Sequence, residues 1–295
     1  MRLRAWALGA LVAVPWLSSP AAASGPQAVD VALVLAIDVS GSVNDERYQL
    51  QRNGYARAFA SDAVANAVRA GEDQAIAVTL VEWSGSDHQS QVVGWSLIRD
   101  RGSALAFAGR VAKVERVYSD WTSLSGAIDY SAALLAKSGF AALRRVIDIS
   151  GDGVNNAGRP VAEARAAALA AGITINGLPI LTEYPELDAY YRANVIGGRD
   201  AFVVVAKDFS VFSNAILGKL VREIARGSPS PGETLFEHEQ DAVAFNANGG
   251  RLEALPEAGT GDAEPVLGPE AGAMRATEQE FAWRVKKLIG RPIER

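Results

Sequence analysis

The chain has 295 residues, 49% hydrophobic and 21% charged, proportions that exclude wholesale disorder, collagen-like repeats and a polytopic membrane protein. Lys and Arg number 29 against 34 Asp and Glu, a net charge of −5, and no basic run marks a phosphate-binding surface, so nucleic acid is not expected as a partner. There is no cysteine, which excludes disulfides, thiolate metal sites, iron–sulfur clusters and a cysteine nucleophile; a metal would need oxygen ligands or the two histidines.

Residues 1–23 have the three-part pattern of a secretory signal. Arg2 and Arg4 precede an apolar stretch from Ala5 to Leu17, and Ser18, Ser19 and Pro20 lead into the small-residue run Ala21 to Ser24. The apolar stretch falls short of the roughly 20 residues a bilayer span needs. Cleavage is expected after Ala23, an uncleaved anchor being the competing reading. Removing Arg2 and Arg4 takes the net charge from −5 to −7. The expected product is an acidic, exported protein of the bacterial envelope, periplasmic or secreted.

Val29 to Ile37 (VDVALVLAI) is a nearly continuous apolar run, the pattern of a central strand buried on both faces. Asp45 to Arg69 carries Tyr48, Tyr55 and Phe59 at helical spacing before Gly71, and reads as one helix. Ala75 to Trp83 is a second strand, and Gln91 to Ile98 a shorter one, close enough to pair with it as a hairpin. Helices are expected at Ser103 to Val114 and Leu124 to Lys137, a strand at Arg145 to Ser150, a helix at Pro160 to Ala171 and a strand at Ile173 to Leu181. A sixth strand at Phe202 to Ala206 and a helix at Phe209 to Ala225 complete the series. Strands alternating with helices predict an α/β fold, an open, mostly parallel, doubly wound sheet with one short antiparallel edge strand. Six strands are too few for an eight-unit barrel.

The domain is expected over 29–226. Residues 228–275 are rich in Pro, Gly and acidic residues without a sustained period, and read as a flexible acidic extension. Over 276–290, a Thr277 and Glu280 capping pair and Phe281, Val285, Leu288 and Ile289 on one face predict an amphipathic helix. It would dock on the domain or, through Arg284, Lys286 and Lys287, meet a membrane surface or a partner.

Asp38, Ser40 and Ser42 follow directly on the first strand, separated by Val39 and Gly41. In an open α/β sheet, ligands bind beyond the carboxyl ends of strands, and a carboxylate with two hydroxyls there suits a hard cation. Mg²⁺, with its octahedral demand, fits such a loop. The same residues could instead start a helix, with Ser42 and Asp45 as caps. Two further loops carry oxygen at expected strand-to-helix junctions: Thr122 before Leu124, and Asp152 between Gly151 and Gly153 after the strand RVIDIS.

The order D-x-S-x-S, Thr, Asp resembles the metal-ion-dependent adhesion site of the von Willebrand factor type A domain, over about Val29 to Ala225. The segments VEWSG, RRVIDISGDG, NNAGRP and GITINGLPI look like an exported bacterial branch of that superfamily, a domain of unknown function. The resemblance implies that Ser40, Ser42 and Thr122 touch a divalent cation through their hydroxyls, and that Asp38 and Asp152 reach it directly or through water. Mg²⁺ is the expected cation, with Mn²⁺ or Ca²⁺ as alternatives. Neutral hydroxyls would leave the cation partly uncompensated and open to a carboxylate, so the implied function is non-catalytic capture of an Asp or Glu on a partner protein. Asp120 and Trp121 stand where many such domains have glycines, and Asp120 is expected to face solvent.

Other chemistries are weaker. His88 and His238 have no second histidine at ligand spacing, there is no G-x-S-x-G elbow or P-loop, and Ser40 replaces the second carboxylate of a dehalogenase-like phosphatase. The alternative class is a metal-dependent hydrolase of phosphoesters or esters, for which only Asp120 or His88 could act as base.

Overall fold

The computed structural model describes residues 25–225. The signal over 1–23, the extension over 228–275 and the helix over 276–290 lie outside the described residues. Within them, the strands are β1 (Gln27–Asp38), β2 (Ile76–Trp83), β3 (Gln89–Ile98), β4 (Phe140–Gly151) and β5 (Ile173–Pro179). The helices are α1 (Asp45–Phe59), α2 (Asp62–Arg69), α3 (Arg101–Val111), α4 (Leu124–Ala136), α5 (Val161–Ala170), the short α6 (Leu187–Tyr190) with a π turn at Tyr191–Val195, and α7 (Phe212–Ala225).

The strands form one sheet in the order β3-β2-β1-β4-β5. Only the β2–β3 pair is antiparallel; β1 pairs parallel with β2 and β4, and β4 with β5. β1 is central, and its apolar run alternates between two cores. Val31, Leu33, Leu35 and Ile37 face one side with residues of α1, α2, α3 and α7, whereas Ala32, Val34 and Ala36 face the other with residues of α4 and α5. Each fully buried large aliphatic side chain contributes about 1.5–3 kcal/mol. The register also fixes the upper rim. Asp38 pairs with Trp83 and Ile37 with Ser150, so β1, β2 and β4 end at one level and their loops emerge together.

Three expectations are corrected. The helix expected from Asp45 to Arg69 is two helices: Ser61 accepts a hydrogen bond from Val64 N at 3.3 Å and donates to Ala58 O at 2.7 Å, ending one helix and starting the next. The sixth strand at Phe202 to Ala206 runs beside β5 but forms only isolated bridges, at Val203 and Ala206. Backbone bonds tie it to β5 at Phe202 O, Val204 N and Ala206, while Phe202 N donates to the Asn176 side chain at 2.8 Å. The edge strand β3 is ten residues long, two more than expected, because its pairing reaches back to Gln89 opposite Trp83. Among the described residues, no helix is long and apolar enough to cross a membrane.

Candidate metal centre

Asp38 is the last residue of β1, fully buried; its Oδ1 accepts the Ser40 N–H at 2.7 Å, while its Oδ2 has no hydrogen-bond partner. The Ser40 and Ser42 hydroxyls lie 3.2 Å apart, and Ser42 Oγ donates to Asp152 Oδ1 at 2.6 Å. Asp152 is also fully buried, and its Oδ2 accepts no hydrogen bond. The two glycines beside it allow the close approach: a Cβ on Gly151 would lie 2.7 Å from Asp38 Oδ2, and one on Gly153 3.3 Å from Thr122 Oγ1. All five expected residues therefore converge. Asp38, Ser40 and Asp152 form a buried floor, Thr122 flanks it, and Ser42 is exposed at the rim.

The capping alternative for Ser42 is resolved by geometry. Asn44 is the cap of α1, accepting from Arg47 N at 2.9 Å, which leaves the Ser42 hydroxyl for Asp152. Likewise Ser123, not Thr122, caps α4. Both helices begin at the cluster and direct their positive dipole ends toward it.

Two buried carboxylates side by side are electrostatically expensive. Burial, then the charge of Asp152, pushes Asp38 up to about 7, against hydrogen bonds from Ser40 that lower it. Asp152 is also pushed up by burial, opposed by the Ser42 hydroxyl and by Arg47, whose Nη1 is 3.6 Å from Oδ2. That guanidinium is already engaged with Glu183 at 2.7 Å and with the Ser42 carbonyl at 2.8 Å. Buried oxygens that lack donors, in a set of carboxylates and hydroxyls, are what a hard divalent cation fits. The residues present fit such an ion. Among the described residues, no cluster of three or more His, Asp or Glu offers another metal site.

Several supporting residues escape sequence reasoning. Gln51 Nε2 donates to Asp38 O at 3.1 Å, and Arg116 Nη2 donates to the Val39 and Ser40 carbonyls at 2.7 and 2.8 Å. With Arg47 on Ser42 O, these donors engage backbone carbonyls and leave the cluster to side-chain oxygens. Asn156 holds Thr122 at both backbone groups, its Oδ1 accepting from Thr122 N at 2.8 Å and its N donating to Thr122 O at 2.9 Å. Only the NNAG segment hinted at it. Above the cluster lies a cavity of about 390 Å³, lined by Ser42, Thr122, Asp120, Trp121, Glu183 and Tyr184 among others. Asp120 does not simply face solvent: its Oδ2 is 2.9 Å from His88 Nδ1, and the imidazole stacks on Tyr118.

A family model described as "Protein of unknown function (DUF1194)" matches residues 28–228. No curated protein matches the chain. Among solved structures, the pilus adhesin SpaC from Lactobacillus rhamnosus GG is 14% identical, with 68% of this chain and 31% of that one covered and a TM-score of 0.50. Proximal thread matrix protein 1 from the mussel byssus, solved with a zinc-occupied MIDAS motif, is 16% identical over 67% of this chain and 46% of its own, with a TM-score of 0.46. The vWF domain of the type V pili tip protein Mfa5 from Porphyromonas gingivalis is 11% identical over 70% of this chain and 98% of its own, at 0.47. This chain thus spans less than half of the mussel protein and under a third of the adhesin. The likeness to the adhesin at a TM-score of 0.50 is one of fold: an open, mostly parallel α/β sheet with helices on both faces.

Proposed function

The chain belongs to the DUF1194 family, and on that premise we propose that it is an exported, divalent-cation-dependent protein-binding module that captures an acidic side chain of a partner. The observation that carries this reading is the pair of buried oxygens, Asp38 Oδ2 and Asp152 Oδ2, that accept no hydrogen bond beneath the Ser40 and Ser42 hydroxyls. Asp38, Ser40, Ser42, Thr122 and Asp152 would hold the cation, Mg²⁺ by the donor set, with Mn²⁺ or Ca²⁺ as alternatives. When bound there, the cation would offer a coordination position to a carboxylate oxygen of the partner. The chain's own residues then orient the encounter. Ser42 and Thr122 open onto the cavity, Trp121 and Tyr184 supply apolar walls, and the start of α4 favours an incoming anion. The site of action would be the periplasm or the cell exterior.

The test is retention of envelope proteins on the immobilised chain in Mg²⁺. The expected result is release by EDTA, no retention by folded Asp38→Ala, and loss of binding when the captured protein's acid is replaced. Retention that survives both the chelator and Asp38→Ala overturns the reading. The contact between Asp120 and His88 at the rim of the cavity favours one alternative, a metal-dependent hydrolase with this pair as base. Turnover of a phosphoester panel with Mg²⁺ or Mn²⁺ that vanishes in His88→Ala would establish that alternative.

A further inference from the structure

A second polar cluster lies away from the rim, between β4 and α7. Lys219 of α7 has no solvent exposure; its Nζ is 2.6 Å from Asp148 Oδ1 and 3.0 Å from Glu223 Oε2, one helical turn on. Asp148 and Glu223 are buried as completely. Neither oxygen of Asp148 takes part in a hydrogen bond of normal geometry, although the amine is in contact with one of them. Glu223 is held in place on its other side, where Asn176 Nδ2 donates to Oε1. The Phe202 ring covers Nζ, with its centroid 5.2 Å away. The proposed metal-dependent binding makes no use of this cluster.

An amine, a carboxyl group and a second carboxylate held together out of contact with bulk solvent are the components of an amide condensation. In water the ion pair is solvated and stable, whereas burial strips that solvation and makes two neutral partners competitive with it. Fixed contact supplies the proximity that a bimolecular reaction lacks. We propose that the folded chain condenses Lys219 with Asp148 into an intramolecular isopeptide bond, with Glu223 as the proton relay. A proton passes from the Lys219 ammonium to the Asp148 carboxylate, giving a neutral amine and a neutral acid. Nζ attacks Cγ, the Nζ–Cγ bond forms, Glu223 takes a proton from Nζ and returns it to the departing hydroxyl, and the Cγ–O bond breaks. One ammonium and one carboxylate thus become one amide and one water, with Glu223 restored and no redox partner required.

Burial pushes Asp148 up to about 6, bringing its neutral acid within reach. On Lys219 burial favours the neutral amine, but the two carboxylates outweigh it and hold the group above the ordinary ammonium value, so the proton transfer to Asp148 runs uphill and rests on the fixed contact between the two groups.

The test is mass spectrometry of the purified full-length chain and its tryptic peptides. The bond removes one water, about 18 Da, blocks cleavage after Lys219, and joins the peptide 208–222 to the peptide 146–165. Glu223→Gln, which keeps both reacting groups, is expected to leave the chain at the unmodified mass or to slow the mass change at least tenfold. Lys219→Met provides the unlinked reference under the same processing, and the wild-type peptide map decides the matter even where that variant does not fold. Recovery of the Lys219 and Asp148 peptides from wild type as separate, unmodified species would overturn the proposal, as would an unchanged rate of linkage in Glu223→Gln.

Discussion

Asp38 and Asp152 at the rim of the sheet and Asp148 and Glu223 beneath α7 are all buried carboxylates, yet their surroundings differ in one respect. The core pair encloses the Lys219 amine, a cation until the proposed condensation neutralises it together with Asp148, at 2.6 and 3.0 Å. Among the described residues, the rim pair has only Arg47, 3.6 Å from Asp152 and committed to Glu183 and to the Ser42 carbonyl. The core cluster is thus balanced by a group of the chain itself, while the rim cluster keeps buried oxygens, Asp38 Oδ2 and Asp152 Oδ2, that accept no hydrogen bond. Such oxygens cost stability unless a cation from outside joins them. The contrast separates a group balanced within the fold from one proposed to serve binding.

The largest expected effect tests the core side. Lys219→Met removes the amine that neutralises the buried acids, as an ion pair or as the proposed amide, and should lower stability by about 3–5 kcal/mol, measured by urea unfolding. At the rim the same logic reverses sign. Asp38→Asn removes one of two repelling charges and should leave the chain in EDTA as stable as wild type, or more stable by about 1–3 kcal/mol, while abolishing the rise in Tm that Mg²⁺ gives wild type. If Asp38→Asn destabilised the chain as severely as Lys219→Met, the distinction between the two clusters would collapse.

A smaller effect is expected from Arg116→Ala. Its guanidinium pins the Val39 and Ser40 carbonyls, so its loss should weaken Mn²⁺ binding about tenfold, read by electron paramagnetic resonance, with the fold intact. The smallest concerns Glu82, buried between the Tyr48 hydroxyl at 2.6 Å and Val117 N at 2.9 Å. Burial pushes its carboxyl above the ordinary value. A raised native value means that folding takes up a proton, so this group's contribution is present in acid and is lost as pH rises through the native value. Urea unfolding from pH 4 upward should therefore show Glu82→Gln gaining on wild type as pH increases. A constant gap would show that Glu82 does not titrate between the two states.

The parts of this molecule that were legible in its sequence are those where one short segment carries the whole signal. VDVALVLAI has no polar face to offer solvent, so it reads as a central strand, and D-x-S-x-S at its end places three oxygen-bearing side chains on one loop. The failures are non-local. Arg116, Gln51 and Arg47 sit in ordinary polar stretches, and their role comes from carbonyls that the fold brings to them. FVVVA has strand composition, but it pairs with β5 only at two isolated bridges, and the Phe202 N–H goes to the Asn176 side chain. Ser61 and Asp62 carried a helix-start signal that the apolar spacing across them obscured. Lys219 occupies a helix position that reads as solvent-facing until β4 supplies Asp148.

The central claim is that the rim cluster holds a divalent cation. Calorimetric titration of the purified chain with Mg²⁺ and Mn²⁺, after EDTA treatment and dialysis, tests it most directly. One ion per chain is expected, lost in Asp38→Ala and in Thr122→Ala while both variants keep the far-ultraviolet circular dichroism of wild type. Wild type that takes up neither ion at millimolar concentration, or variants that bind as wild type does, would contradict it.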